Sequence, residues 1–173
     1  MKKLLITTLV ALLMVGCGGP DLDDKETLDK IIAEAIDGNT LQGRGKEGEV
    51  LAYAPNQQTP YTGWAKEMYD NGQIEVLAQI KDGKPDGLTT MWHKNGQKKA
   101  ERTYKDGKLD GPATGWYSNG QKKEEYIYKD GKIWTAVGWK PNGEKCPVTN
   151  VVNGNGVSVW SQRGACSPDP AGK

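Results

Sequence analysis

The sequence predicts an all-β protein, an elongated antiparallel meander of stacked β-hairpins preceded by one short helix. Three observations carry that expectation. The first is an internal period: Gly63, Gly87 and Gly111 open copies of one pattern in strict register, 24 residues apart. The second copy reads GLTTMWHKNGQKKAERTYKDGKLD and the third GPATGWYSNGQKKEEYIYKDGKIW. The second observation is that each copy carries two turn dipeptides, Asn-Gly ending at Gly72, Gly96 and Gly120, and Asp-Gly ending at Gly83, Gly107 and Gly131. Both dipeptides suit the paired positive-φ positions of a type I′ turn, whose twist matches the strands of a hairpin. The third is spacing: the segments between turns are about 6 to 8 residues long, an ordinary strand length. A period with two turns is two strands per repeat.

The elements follow in chain order. Residues 1–16 read as a lipoprotein signal peptide. Lys2 and Lys3 give a basic start, and the apolar run from Leu4 to Val15 is too short to span a membrane comfortably. Met14-Val15-Gly16-Cys17 resembles a bacterial lipobox cleaved before Cys17, with Met where Leu is usual. Cys17 is then the lipidated residue, and the mature chain is a membrane-anchored lipoprotein of a bacterial cell envelope. Gly18 stands where an inner-membrane retention signal has Asp, which points to the outer membrane facing the periplasm if the cell is Gram-negative. An ordinary secretory signal or a buried free cysteine is the alternative.

Residues 17–38 form a Gly/Pro tether and a helix. Asp23 or Asp24 can cap that helix, and Gly38 can stop it. Leu28, Ile31, Ile32 and Ala35, with Leu22, make an apolar stripe at helical spacing. The stripe either covers one end of the sheet, whose last strand needs protection, or binds a partner. Residues 39–62 read as degenerate lead-in strands, with Val50, Leu51 and Tyr53 the strand-like part. Residues 63–160 are the repeat array: three strict copies, a looser fourth from Thr135 containing WKPNGEK and VVNG, and part of a fifth from Gly156. Residues 161–173 are a tail, disordered after Cys166. Cys146 and Cys166 are an even pair in an oxidising compartment and are expected to form a disulfide, with two free thiols as the alternative.

Within the array, apolar residues fall on even positions. Before the Asn-Gly turns stand Trp64, Met68, Leu88, Trp92, Pro112 and Trp116; after them stand Ile74, Val76, Ala78, Ile80, Ala100, Tyr104, Tyr126 and Tyr128. Odd positions hold Glu67, Glu75, Lys99, Glu101, Thr103, Lys123 and Glu125. Residues i and i+2 share a strand face, so this predicts one buried and one wet face. Leu77, Met91 and Ile127 break the pattern on the odd side, as do Arg102, Lys122 and Glu124 on the even side.

The pattern GxxxxW(Y/H)xNGQxKxExxYKDGKxxG, running from about Gly63 to Gly154, resembles the MORN-repeat variant found in bacterial proteins of the YwqK antitoxin family. The resemblance implies a single elongated sheet of stacked hairpins. The family name implies an antitoxin that neutralises a toxin by direct contact. A lipidated, exported chain could not reach a cytoplasmic toxin.

Chemistry finds little purchase. The chain has 23 basic and 22 acidic side chains, so it lacks the net basic footprint of a nucleic-acid binder. His93 is the only histidine and occupies the place of Tyr69 and Tyr117, an aromatic slot. Asp82, Asp106 and Asp130 recur as turn residues, where backbone conformation demands them. No GxxxxGK(S/T) loop is present, and Cys146 and Cys166 lack zinc-site spacing. The expectation is no catalytic residue, no metal and no cofactor. Two surface rows remain. Lys98, Lys99, Lys122 and Lys123, with Lys94 nearby, are either a solvated, salt-laced face or a contact for anionic lipid or envelope polymer. Tyr69, His93 and Tyr117 either stack on a glycan or peptide or simply pack across strands. The reading is a non-enzymatic binding or scaffold module, whose partner is a protein, an envelope polymer or a membrane surface.

Overall fold

A computed structural model describes residues 19–146. The elements are α1 (Lys25–Glu34), β1 (Ile36–Asp37), a 3₁₀ turn (Gly38–Thr40), β2 (Gln42–Arg44), β3 (Leu51–Tyr53), β4 (Gly63–Met68), β5 (Ile74–Lys81), β6 (Lys84–Trp92), β7 (Lys98–Lys105), β8 (Lys108–Trp116), β9 (Lys122–Lys129) and β10 (Lys132–Gly138). Strands β4 to β10 form an antiparallel meander in sequence order, and β1 adds to β4 in parallel, making an eight-stranded sheet. The lead-in strands β2 and β3 pair separately. After β10 the chain turns back, with a bridge between Trp139 and Lys145 and a 2.8 Å bond from the Cys146 N–H to the Gly138 carbonyl. The all-β meander with one short helix is thus observed. The signal segment, Cys17, Cys166, the end of the array and the tail lie outside the described residues.

The two turns of each repeat differ in kind. At the Asp-Gly turns both central residues are left-handed: Asp82, Asp106 and Asp130 have φ of 48–49°, and Gly83, Gly107 and Gly131 have φ of 77–82°. Lys81 pairs with Lys84 across the first and Lys105 with Lys108 across the second, so these are two-residue type I′ hairpins. At the Asn-Gly turns only the glycine is left-handed, with φ of 80–83° at Gly72, Gly96 and Gly120. The Gly72 N–H donates to the Tyr69 carbonyl at 2.8 Å and the Tyr69 N–H to the Gln73 carbonyl at 2.8 Å. This is a three-residue loop closed by a left-handed glycine, which corrects the expected type I′ assignment. Asn serves here through its side chain instead: Asn71 Oδ1 accepts from the Gln73 N–H at 3.1 Å, and Asn95 from Gln97 likewise.

That turn changes which residues share a face. After each Asn-Gly loop the register slips by one: Glu67 faces Val76 but Met68 faces Ile74, and Met91 faces Ala100 but Trp92 faces Lys98. Glu75, Lys99 and Lys123 are the extra residues of these bulges, and one extra residue inverts side-chain parity. The even positions before and after the turn therefore point to opposite sides. One face carries Trp64, Leu77, Leu88, Thr90, Trp92 and Trp116; the other carries Val76, Ala78, Ala100, Tyr104, Tyr126 and Tyr128. The expected single buried face is corrected to two faces that each hold apolar side chains.

Helix α1 lies across the first of these, here called the helix face. Asp24 caps it by accepting from the Thr27 N–H at 2.8 Å. The helix ends at Glu34 with Ala35 as its cap, before Gly38, which begins the 3₁₀ turn instead. Leu22, Ala35, Leu77 and Trp92 form one buried cluster, with Leu28, Ile31, Ile32, Trp64, Ile74 and Leu88 packed against it. Leu77, which sequence parity placed on the wet side, is fully buried under this cover. At one end of the helix the Lys98 ammonium meets Asp23 at 2.9 Å; at the other, Lys66 Nζ donates to the Ile32 carbonyl at 2.6 Å. The helix thus bridges β7 to β4, three strand intervals of about 4.8 Å, which a ten-residue helix of about 15 Å can cover. It covers a face, whereas the edge of β4 is closed by Ile36 and Asp37.

Candidate binding surfaces

The aromatic row is built into the stacking of the repeats. Tyr69 donates its hydroxyl to the Trp92 carbonyl at 2.7 Å, and Tyr117 donates to the Trp139 carbonyl at 2.9 Å. His93 Nε2 makes the equivalent contact to the Trp116 carbonyl at 3.1 Å, so Nε2 carries the proton there. Each ring reaches one repeat forward and satisfies a backbone acceptor in the next loop. Burial, then Glu75 for Tyr69 and Glu124 for Tyr117, raises both phenol pKa values. Asn95 and Asn119 add to the same seam by donating to the Ser118 and Pro141 carbonyls at 2.7 and 3.0 Å. At the opposite turns, Asp86 and Asp110 accept from the backbone N–H of Asp106 and Asp130 at 3.0 and 3.1 Å.

The lysines do not form one row. Lys98 and Lys122 pair across strands with Trp92 and Trp116 on the helix face, whereas Lys99 and Lys123 are the bulge residues. Lys98 holds Asp23 and Glu101, at 2.9 and 2.8 Å. Burial lowers its pKa, but the two carboxylates outweigh that and leave it raised. Lys122 pairs with Glu125 and lies 5.3 Å over the Trp139 ring. Lys123 lies 5.9 Å over Tyr117 and Lys94 5.5 Å over Tyr69. Cation–ring contacts of this kind hold a lysine stem flat against the sheet.

The bare face carries a site that repeat reasoning passed over. Arg102, Ala113, Tyr126 and Ala136 stand in one cross-strand line, and Ala100, Gly115, Glu124 and Gly138 in the next. Small residues make a floor between the longer side chains, leaving a recess of about 320 Å³ that Tyr128, Leu109 and Ile133 also line. A Cβ on Gly115 would lie 2.9 Å from Glu124 Cγ, so glycine is what lets the Glu124 side chain cross the floor. Tyr126 donates to Glu124 Oε2 at 3.3 Å, and its ring lies 5.8 Å from that of Tyr128. Burial first, and then Glu124, pushes the Tyr126 pKa up strongly; burial raises Tyr128 as well, against the pull of Arg102. Both phenols are therefore neutral donors at physiological pH. The signal in the sequence was singularity: Arg102 and Glu124 stand where the preceding copy has Ala78 and Ala100.

Chemically, the recess offers one guanidinium, one carboxylate, two phenols and apolar walls. It suits hydrogen bonding and stacking with a polar, extended ligand. Among the described residues no group of three His, Cys, Asp or Glu side chains is placed to hold a metal ion. No helix among them is long and apolar enough to cross a membrane. Cys146 is buried and is not a free thiol. Residues 85–106 and 109–130 match the family model of the MORN repeat variant, each stretch covering two strands with the Asn-Gly loop between them. Neither the curated proteins nor the solved structures contain a match to the chain.

Proposed function

We propose that this chain is a non-catalytic binding module of the bacterial envelope, tethered by lipid at Cys17 and presenting its repeat sheet to a protein or an envelope polymer. One observation carries the reading. Polar side chains that recur from copy to copy at the turns are spent on bonds between hairpins, as with Tyr69, His93, Tyr117, Asn95 and Asp110. The polar groups that do not recur, Arg102 and Glu124, stand together over a small-residue floor beside two neutral tyrosines. A scaffold that consumes its repeated residues and sets apart one unrepeated cluster has the composition of a recognition surface, where aromatic rings and arginine supply most of the contact energy. The tether rests on the basic start, apolar run and lipobox of residues 2–17.

Two measurements test the two halves of the proposal. Mass spectrometry of the membrane fraction should find Cys17 as the acylated first residue. A soluble protein that retains Met1 overturns the envelope location and favours the antitoxin-type role. A photo-crosslinking side chain at Tyr128 should give a discrete adduct in intact cells, one that Arg102→Ala removes and that a crosslinker at Glu47 does not give. Equal adducts from both positions overturn the assignment of the bare face.

A further inference from the structure

On the helix face, the dock that holds the segment leading into α1 recurs one repeat further on, and we propose that this second dock takes an apolar–acidic peptide segment of a partner protein. The first dock is formed by Trp92 and Lys98, paired across β6 and β7. Leu22 is buried in one cluster with Trp92, and the next residue, Asp23, meets the Lys98 ammonium at 2.9 Å. An apolar side chain in the cluster of a tryptophan, followed by a carboxylate on a lysine, is the part of the helix contact made by this leading segment.

Exactly one period on, the same parts stand in the same relation. Trp116 pairs across β8 and β9 with Lys122, as Trp92 does with Lys98. Lys122 salt-bridges Glu125 three residues on, as Lys98 does Glu101. Lys98 shows that this in-sheet glutamate leaves the ammonium able to hold a second carboxylate. The second dock differs in two ways: the Lys122 ammonium also lies 5.3 Å over the Trp139 ring, and the cover is thinner, since Trp92 is 5% exposed whereas Trp116 is half-buried. The Lys122 side chain is 39% exposed against 21% for Lys98. Farther along, Ile127 on β9 and Trp134 on β10, 43% and 42% exposed, line an open recess of about 600 Å³ with Lys105, Lys129, Asp110 and Asp130. The open dock therefore continues an interface that the chain itself has already formed, and the Lys122 ammonium is the group that would meet an acidic side chain, as Lys98 meets Asp23. This proposal concerns the face opposite the Arg102 recess and stands whether or not that recess or the lipid tether is confirmed.

The chain's own docking segment is the natural probe. A fluorescein-labelled peptide of residues 19–30, GPDLDDKETLDK, should bind the full-length protein saturably in an anisotropy titration. Lys122→Glu should weaken binding about tenfold, which is about 1.4 kcal/mol, and Trp116→Ala should weaken it as well. An alanine at the position of Asp23 in the peptide should do the same. If Lys98→Glu abolishes binding while Lys122→Glu leaves it intact, the peptide has merely exchanged with Leu22 and Asp23, and the second dock does not exist. If binding appears only after residues 1–18 are removed, the chain fills the dock itself and the partner is overturned. No binding in either form overturns the proposal outright. The fold of Lys122→Glu, a substitution at a partly exposed side chain, is checked by an unchanged melting transition.

Discussion

A single position decides how each repeat turns, and the two turn types make opposite demands on it. Asp106 sits at φ +48°, so any residue there must tolerate a left-handed backbone. Asp106→Val should cost on the order of 1–2 kcal/mol or more, and Asp106→Gly should cost far less. Asn95 carries no such strain. Its contribution is two hydrogen bonds, to the Gln97 N–H and the Ser118 carbonyl, at 3.1 and 2.7 Å. Asn95→Gly therefore gains nothing from backbone freedom, and both it and Asn95→Ala should fall about 1 kcal/mol or more below the parent. Urea unfolding of the four variants checks this; equal penalties for Val and Gly at residue 106 would contradict the type I′ geometry. A second residue runs the other way. Thr90 is fully buried opposite Leu77, and its hydroxyl oxygen has no hydrogen-bond partner. Thr90→Val keeps the branched shape and removes the unsatisfied oxygen, so it should raise stability by about 1 kcal/mol and the melting temperature with it.

Helix α1 shows where element-scale reading succeeded and where it failed. Its apolar stripe and its acidic cap were legible, because helical spacing and the Asp–Thr capping geometry are local. Its resting place was not. The sequence treated Trp64 and Val76 as one face, since Glu75 looks like any other strand residue and only the three-residue loop makes it a bulge. With parity inverted at Glu75, Lys99 and Lys123, Leu77 moves from an anomaly on the wet side to the centre of the helix contact. Arg102, Glu124 and Tyr126 were already on one face by even parity, but the same inversion hid Ala113 and Gly115 as the floor between them. The docking energy should be carried by burial, with the ion pair a minor part. Leu22→Ala, at 5% exposure, should cost about 2–4 kcal/mol, while Asp23→Ala, whose carboxylate is 77% exposed, should cost about 0.5–1 kcal/mol. In hydrogen exchange both variants should speed the amides of α1 and leave those of β8 and β9 unchanged. A uniform loss of protection would mean that the helix is an inseparable part of the sheet.

At the scale of the molecule, stability is a sum of neighbouring hairpin contacts, so the ends and the pH response are set by what repeats. Tyr61, Tyr69, Tyr117, Tyr126 and Tyr128 all have pKa values raised above 10.0, with burial the largest cause, and Lys98 is raised above 10.5 by its carboxylate partners. A group whose folded pKa is raised contributes stability that is complete below its unfolded pKa and is lost as pH rises through the folded value. All six act in the same sense. Stability should therefore hold level from pH 7 to about 9 and fall steeply above pH 10, with tyrosinate absorbance rising together with unfolding; phenols that titrate freely at pH 10 in the intact fold would contradict this. The N-terminal end is closed twice, by β1 on the edge of β4 and by α1 on its face. At the other limit of the described residues the Cys146 N–H donates to the Gly138 carbonyl, just where the chain turns back along β10. We propose that a bridge from Cys146 to Cys166 secures this end, closing a loop of 21 residues. In the chain-entropy description such a loop contributes roughly 3 kcal/mol, and it acts where a solenoid is weakest, at its last strand. Reduction should then speed amide exchange in β10 first and leave β5 to β7 protected, since only nearest neighbours feel the loss. Thiol titration of the unfolded, unreduced protein should find no reactive thiol apart from any at Cys17, and two more would show that the bridge does not form.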